Sequence, residues 1–196
     1  MRIDPRVARS KAAILGACGD LIAEEGFEGV TIEAVAARSG VAKTTIYRHW
    51  PTREALLVEA FGCCAGPPVP RVDTGSTEED LVSVLAGLGR RLSDRSWCNT
   101  LRSLVDSASR DPELGRLHRA TLVERRRPLT DALARGIERG DLPAGLDIDE
   151  AVAQLAGPLF YRALITGEPC DEPYVARLVA RALPGLRAGP REPAAT

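Results

Sequence analysis

The sequence predicts an all-α protein: an N-terminal helix-turn-helix head of three helices plus a larger helical C-terminal domain, about nine helices in all. Three observations carry this. Apolar residues recur three and four apart, as in Ile14, Cys18, Leu21 and Ile22 or Leu81, Leu85, Leu88 and Leu92, and no strand-like alternation interrupts them. Cap signals stand where the stripes begin, at Asp4-Pro5, Thr31, Ser76 with Glu79, and Asp111-Pro112. One Pro/Gly-rich stretch, AGPPVPRVDTGS at 65–76, cannot be helical throughout and marks a domain boundary.

Taken in order, residues 1–4 read as frayed, and a first helix runs to Glu25, ended by Gly26. Phe27 turns inward and Gly29 bends the chain into the stretch 30–50. A fourth helix runs from about Thr52 to Cys63, so that 1–64 form the head with its linking helix and 65–76 the linker. The domain at 77–184 then reads as helices over 77–92, 96–110, 112–139, 148–166 and 171–183. Pro128 predicts a kink or a break in the long helix. The Arg125-Arg126-Arg127 run before it reads as a solvated face with one or two ion pairs. The Pro/Gly/Ala-rich tail 185–196 reads as disordered.

With 196 residues the chain can bury a real core, and 44% hydrophobic and 27% charged residues are ordinary for a globular protein. No run is apolar enough to span a bilayer, and no apolar signal core follows the basic start, so a cytoplasmic protein without membrane contact is expected. The net charge of −1 excludes a protein coated in basic patches. Cations are instead placed locally: Arg2, Arg6, Arg9 and Lys11 cluster at the start, and Lys11 and Lys43 are the only lysines. Five cysteines without a CxxC motif indicate neither a disulfide framework nor a zinc ribbon. Cys63-Cys64 is either helix-end packing or a thiol or soft-metal sensor.

The stretch VTIEAVAARSGVAKTTIYRHW at 30–50 is the most informative. Thr31 can cap a helix whose Ile32, Val35 and Ala36 make one buried face, and Gly40 suits its left-handed end. A second short helix starts near Lys43. Ile46 and Trp50 face the core, while Thr44, Thr45, Tyr47 and Arg48 are left to project. Two short helices around a Gly turn make a helix-turn-helix pattern. Arg48 can donate to guanine and a Thr methyl can meet a thymine methyl.

At this point the chain resembles the tetracycline-repressor-like (TetR) regulators, on the segment GVAKTTIYRHWPTREALL and more broadly over residues 9–61. The segment GPLFYRALITGEPCDEP also resembles a C-terminal regulatory domain of that family. Geometry and resemblance together direct Lys43, Thr44, Thr45 and Arg48 toward bases or adjacent phosphates, and Tyr47 and His49 toward phosphates. Thr31, at a helix N-terminus, is likewise suited to a phosphate. Tyr47 could instead be a packed aromatic with its hydroxyl at the rim. Arg53 lies in a first helical turn, where the dipole disfavours a cation; it is either a solvated partner of Glu54 or, as the resemblance implies, a phosphate contact. Ala42 departs from the family, which often places a capping Ser there.

One short recognition helix cannot select a site alone, and such proteins set two of them in successive major grooves by two-fold symmetry. The last two helices are the natural homodimer interface, through Val152, Leu155, Leu159, Ala163, Val175, Leu178 and Val179, unless these residues only close the protomer's own core. A pocket for a small-molecule effector is expected from Trp97, Leu101, His118, Leu122, Phe160 and Tyr161, although core packing explains each equally well. No HExxH, Walker loop or GxSxG occurs, so no catalytic residue, metal ligand or cofactor is assigned. The expected partners are a double-stranded palindromic operator, a second copy of the chain and an effector, with a repressor released by that effector as the expected function. The alternative is a ligand-binding or interaction protein of the same fold without operator binding.

Overall fold

The computed structural model describes residues 5–64 and 71–188. Among the described residues there are nine α-helices and no strand: α1 (Pro5–Gly29), α2 (Ile32–Ser39), α3 (Lys43–His49), α4 (Arg53–Cys64), α5 (Thr77–Leu92), α6 (Arg95–Arg110), α7 (Pro112–Glu138), α8 (Ile148–Phe160) and α9 (Glu172–Ala188). A π-helical turn, Tyr161–Thr166, continues α8. None of these helices is long and apolar enough to cross a membrane. The fraying expected at 1–4, the Asp4 cap, most of the linker, the Cys64 side chain and the end of the tail lie outside the described residues.

The chain packs as two compact units. The first joins α1, α2, α3 and α4 to Ser96–Leu122, that is, to α6 and the first part of α7; the second holds α5, the rest of α7, α8 and α9. The packing division therefore differs from the boundary that the 65–76 stretch marks along the chain. Apolar stripes say that a helix must be covered, not which unit covers it. Here α6 buries Trp97, Leu101 and Leu104. Trp97 stacks on Phe61 of α4 with ring centres 6.1 Å apart, and Phe61 meets Phe27 at the same distance.

In the first unit Ile14, Cys18, Leu21 and Ile22 form the buried stripe of α1. The helix breaks at Gly26 (φ 73°, ψ 177°), where the sequence predicts its end. That break turns Phe27 inward, 1% exposed, into the unit that also buries Ile32, Val35, Ile46 and Trp50.

The second unit rests on α5, which packs against both α8 and α9. Ser76 caps α5 through its hydroxyl, which accepts the Glu79 N–H at 3.4 Å. Asp147 and Asp171 cap α8 and α9 in the same way, at 3.0 and 2.9 Å. Gly89 lies against the Cys170 carbonyl so closely that a Cβ there would stand 2.4 Å from the oxygen.

Three expectations are refined here. Val152, Leu155, Leu159, Ala163, Val175 and Val179 are 0–8% exposed within one protomer; they close this unit's own core, the alternative the sequence left open, and only Leu178 of the expected interface set is half-buried. The break that Pro128 allowed does not occur: α7 is helical on both sides of it, and Leu129, Ala132 and Leu133 beyond it are buried. The last helix continues through Pro184 to Ala188, so 185–188 are helical; burial of Leu186 carries the apolar stripe of α9 past the proline. The arginine run behaves as the sequence suggests: Arg126 pairs with Asp149 at 3.2 Å and Arg127 with Glu124 at 3.5 Å.

Candidate nucleic-acid interface

The site begins at Thr31, which is extended (φ −114°, ψ 155°) and accepts the Ala34 N–H on its hydroxyl at 3.1 Å. That bond starts α2, and Ile32 and Val35 anchor it in the core. Gly40 ends it in the left-handed conformation (φ 68°, ψ 14°), with its N–H donated to the Ala36 carbonyl at 3.1 Å. Ser39 steadies the turn by accepting the Val41 N–H at 3.3 Å. Ala42 then starts α3 with no side-chain cap, as its methyl dictates.

A single buried residue, Ile46, roots α3 from within. Trp50, 2% exposed, roots it from behind. The Trp50 backbone N–H closes on the Ile46 carbonyl at 2.9 Å, and its indole N–H donates to Glu59 of α4 at 2.7 Å. Lys11 of α1 holds the other Glu59 oxygen at 2.8 Å and sits 5.5 Å from the centre of the Trp50 ring. His49 packs edge-on against the same indole. Thus α1 and α4 together fix the seat of α3.

On the outer side, Lys43, Thr44, Tyr47 and Arg48 are exposed, and Thr45 and His49 are half-buried. Thr44, Tyr47 and Arg48, spaced i, i+3 and i+4, form one outward face. Tyr47 is 50% exposed, which excludes the packed-aromatic alternative. Lys43 reaches back to Glu33 in the first turn of α2, with Nζ 2.5 Å from Oε1. That ammonium holds the Glu33 carboxyl below the usual carboxylate range.

Arg53 is not where a phosphate contact needs it. Its guanidinium turns into the unit and donates to the carbonyls of Phe27, Val30 (2.5 Å) and Glu28 (3.3 Å), with Glu54 alongside at 3.3 Å. The end of α1 at Gly29 leaves the Phe27 and Glu28 carbonyls without helical partners, Val30 follows it outside any helix, and a guanidinium fork is shaped to collect all three. Sequence reading weighed phosphate against solvent and missed this use, because the carbonyls lie more than twenty residues back. Glu33 and Glu59 were missed for the same reason: each meets its partner across the chain, at no recognisable spacing.

The expected pocket residues divide. Trp97 and Leu101 are buried, His118 is half-buried with its ring 6.4 Å from Phe61, and Leu122 is 40% exposed, all in the first unit. Phe160, half-buried, and Tyr161, 59% exposed, belong to the second.

Comparison with known families gives two matches. Residues 14–60 match the model of bacterial regulatory proteins of the tetR family. Residues 71–182 match the tetracyclin repressor-like C-terminal domain. The chain belongs to the TetR family. It is 35% identical over 185 residues to the uncharacterized HTH-type transcriptional regulator YdeS of Bacillus subtilis, covering 94% of this chain and 93% of that one. It is 31% identical to the HTH-type transcriptional repressor KstR of Mycobacterium tuberculosis over 85% of this chain and 64% of that protein. Among solved structures it resembles the TetR family transcription regulator SCO0332, with a TM-score of 0.72 and 31% identity over 90% of this chain and 97% of that one. This TetR-family chain is therefore a DNA-binding transcriptional regulator, and the outward face of α3 is its candidate reading surface.

Proposed function

We propose that the protein is a repressor that binds a palindromic operator as a homodimer and leaves it when a small apolar or amphipathic effector binds. The observation that carries the reading is the exposure of Thr44, Tyr47 and Arg48 on a helix seated by Ile46 and Trp50. In the groove, Arg48 donates to guanine O6 and N7, the Thr44 and Thr45 methyls meet thymine, and Lys43, Tyr47 and His49 hold phosphates. The Thr31 hydroxyl keeps its capping bond while the first turn of α2 faces a phosphate. Repression as the sign is supported by the printed name of one 31% identical relative, a transcriptional repressor.

The dimer is assigned to the outward sides of α8, the π turn and α9, where Phe160 and Leu178 are half-buried and Tyr161 is exposed. The effector is assigned to the aromatic region of the first unit around Phe61, Trp97 and His118. Release follows by linkage: an effector that prefers one spacing of the paired heads weakens operator binding by its differential affinity. Fluorescence anisotropy with DNA from upstream of the protein's own gene tests the core of this reading. Wild type binds it more tightly than random duplex, and Arg48→Ala loses that preference at matched salt. Equal binding of both proteins to all DNA overturns the reading.

A further inference from the structure

Both lysines of this chain are already clasped by a glutamate: Lys11 by Glu59 at 2.8 Å and Lys43 by Glu33 at 2.5 Å. The two clasps do different jobs. Glu59 is also bonded to the Trp50 indole and belongs to the seat of α3. Besides Lys43, the Glu33 carboxylate takes its own backbone N–H, a bond within α2 that ties it to no other helix. Its carboxylate and the Lys43 ammonium are 66% and 50% exposed, and they join the first turn of α2 to the first residue of α3 on the outside of the unit.

The local physics explains why the pair forms. A carboxylate in a first helical turn is favoured by the helix dipole, and a cation in a first turn is disfavoured. Lys43 opens a helix that has no side-chain cap, so its ammonium gains by leaning away from that helix onto Glu33. Arg48, one turn further on, is exposed and carries no ion pair among the described residues. The outward cations are therefore unequal: the guanidinium able to read a base is uncommitted, and the ammonium able only to attract a phosphate is occupied.

We infer that Glu33 is a specificity-determining residue, an internal stand-in for phosphate that withholds Lys43 from non-specific DNA. The inference rests on the proposed placement of α3 in the major groove. Non-specific affinity is essentially the sum of phosphate contacts, each adding about 0.9 to the slope of log affinity against log salt. Specific affinity adds base contacts that do not exchange with salt in this way. A carboxylate that occupies Lys43 subtracts one phosphate contact from random duplex. At an operator, Arg48 and the threonines hold the head in the groove and keep a phosphate within reach of Lys43, which then exchanges Glu33 for it.

The test uses the full-length protein and a 30-base-pair random-sequence duplex, titrated by anisotropy from 20 to 200 mM salt. Four proteins are compared: wild type, Glu33→Gln, Lys43→Ala and the double variant. Glu33→Gln is expected to tighten binding roughly 3- to 10-fold and to steepen the salt slope by about one per head. In the Lys43→Ala background the same change is expected to do little, since no ammonium remains to be released. Glu33 is exposed, so thermal melts should show all four folded. An unchanged affinity and slope in Glu33→Gln overturn the inference. So does an equal gain in the Lys43→Ala background, which would mean that Glu33 acts only as a nearby negative charge. If wild type binds no duplex even at 20 mM salt while its melt is normal, the proposed function fails and this inference with it, a result distinct from either of the others.

Discussion

The Trp50 indole donates to the Glu59 carboxylate at 2.7 Å, and this one bond ties the end of the recognition helix to α4. Because the acceptor is charged and the donor sits on a buried ring, its loss costs about 1–2 kcal/mol. Glu59→Ala is expected to lower the melting temperature by roughly 2–8 °C and to weaken operator binding, with both losses measured in the same preparation. Glu59→Gln, which still accepts the indole N–H but releases Lys11, recovers most of the DNA affinity.

Arg53 serves carbonyls, not phosphates. Arg53→Gln strands the Phe27, Glu28 and Val30 carbonyls at the break in α1, and a loss of about 1–3 kcal/mol is expected in urea unfolding. Its salt slope on DNA stays that of wild type. A lowered slope with unchanged stability would return Arg53 to the phosphate contacts.

One source of acid sensitivity, the buried Asp80, lies in the second unit. Burial pushes the Asp80 carboxyl up, but hydrogen bonds from the Thr74 N–H and O–H, then from Arg139 and Arg135, outweigh it and hold the group below its usual value. The distances are 2.8, 2.9, 3.3 and 3.4 Å. A depressed folded value stabilises the protein at all pH above the unfolded value, about 4, and that stability is lost as pH falls through the folded value. Chemical denaturation should show it disappearing below about pH 4. Asp80→Asn removes that pH step and leaves the buried Arg135 with Asp73 alone, 3.7 Å away, which costs about 1–3 kcal/mol.

Leu159 and Tyr161 lie two residues apart in the chain and differ completely in surroundings, at 0% and 59% exposure. Leu159→Asp puts a carboxylate into the core of the second unit and is expected to unfold it, as seen by loss of the cooperative melt. Tyr161→Asp is expected to keep the fold and shift sedimentation toward the monomer. A folded, dimeric Tyr161→Asp would move the interface to another face.

Much of this was legible in the chain because it depends on neighbours. The Thr31 cap, the left-handed Gly40, the buried Ile46 and the break at Gly26 are each settled within a few residues, and all stand where the periodicity and caps put them. What escaped depends on contacts across the sequence. Arg53 meets carbonyls from another helix, Lys43 meets a glutamate ten residues back, and α6 joins the first unit through Trp97 on Phe61. The excess apolar surface of α8 was correctly seen as needing cover. Within one protomer Leu155 and Leu159 are already covered, and periodicity cannot tell an inner stripe from an outer one.

Gly89 and Gly157 are two kinds of glycine with opposite tolerance for a side chain. At Gly89 two backbones touch, so even one methyl would have to prise α5 from the segment around Cys170, and the position admits no side chain without a shift. At Gly157 and Gly185, both helical, no described atom beyond the chain neighbours and the helix's own backbone stands within 4 Å of where a Cβ would go. Those two letters are open to alanine, which gains roughly 0.5–1 kcal/mol per site, and a breeder of sturdier variants should begin there.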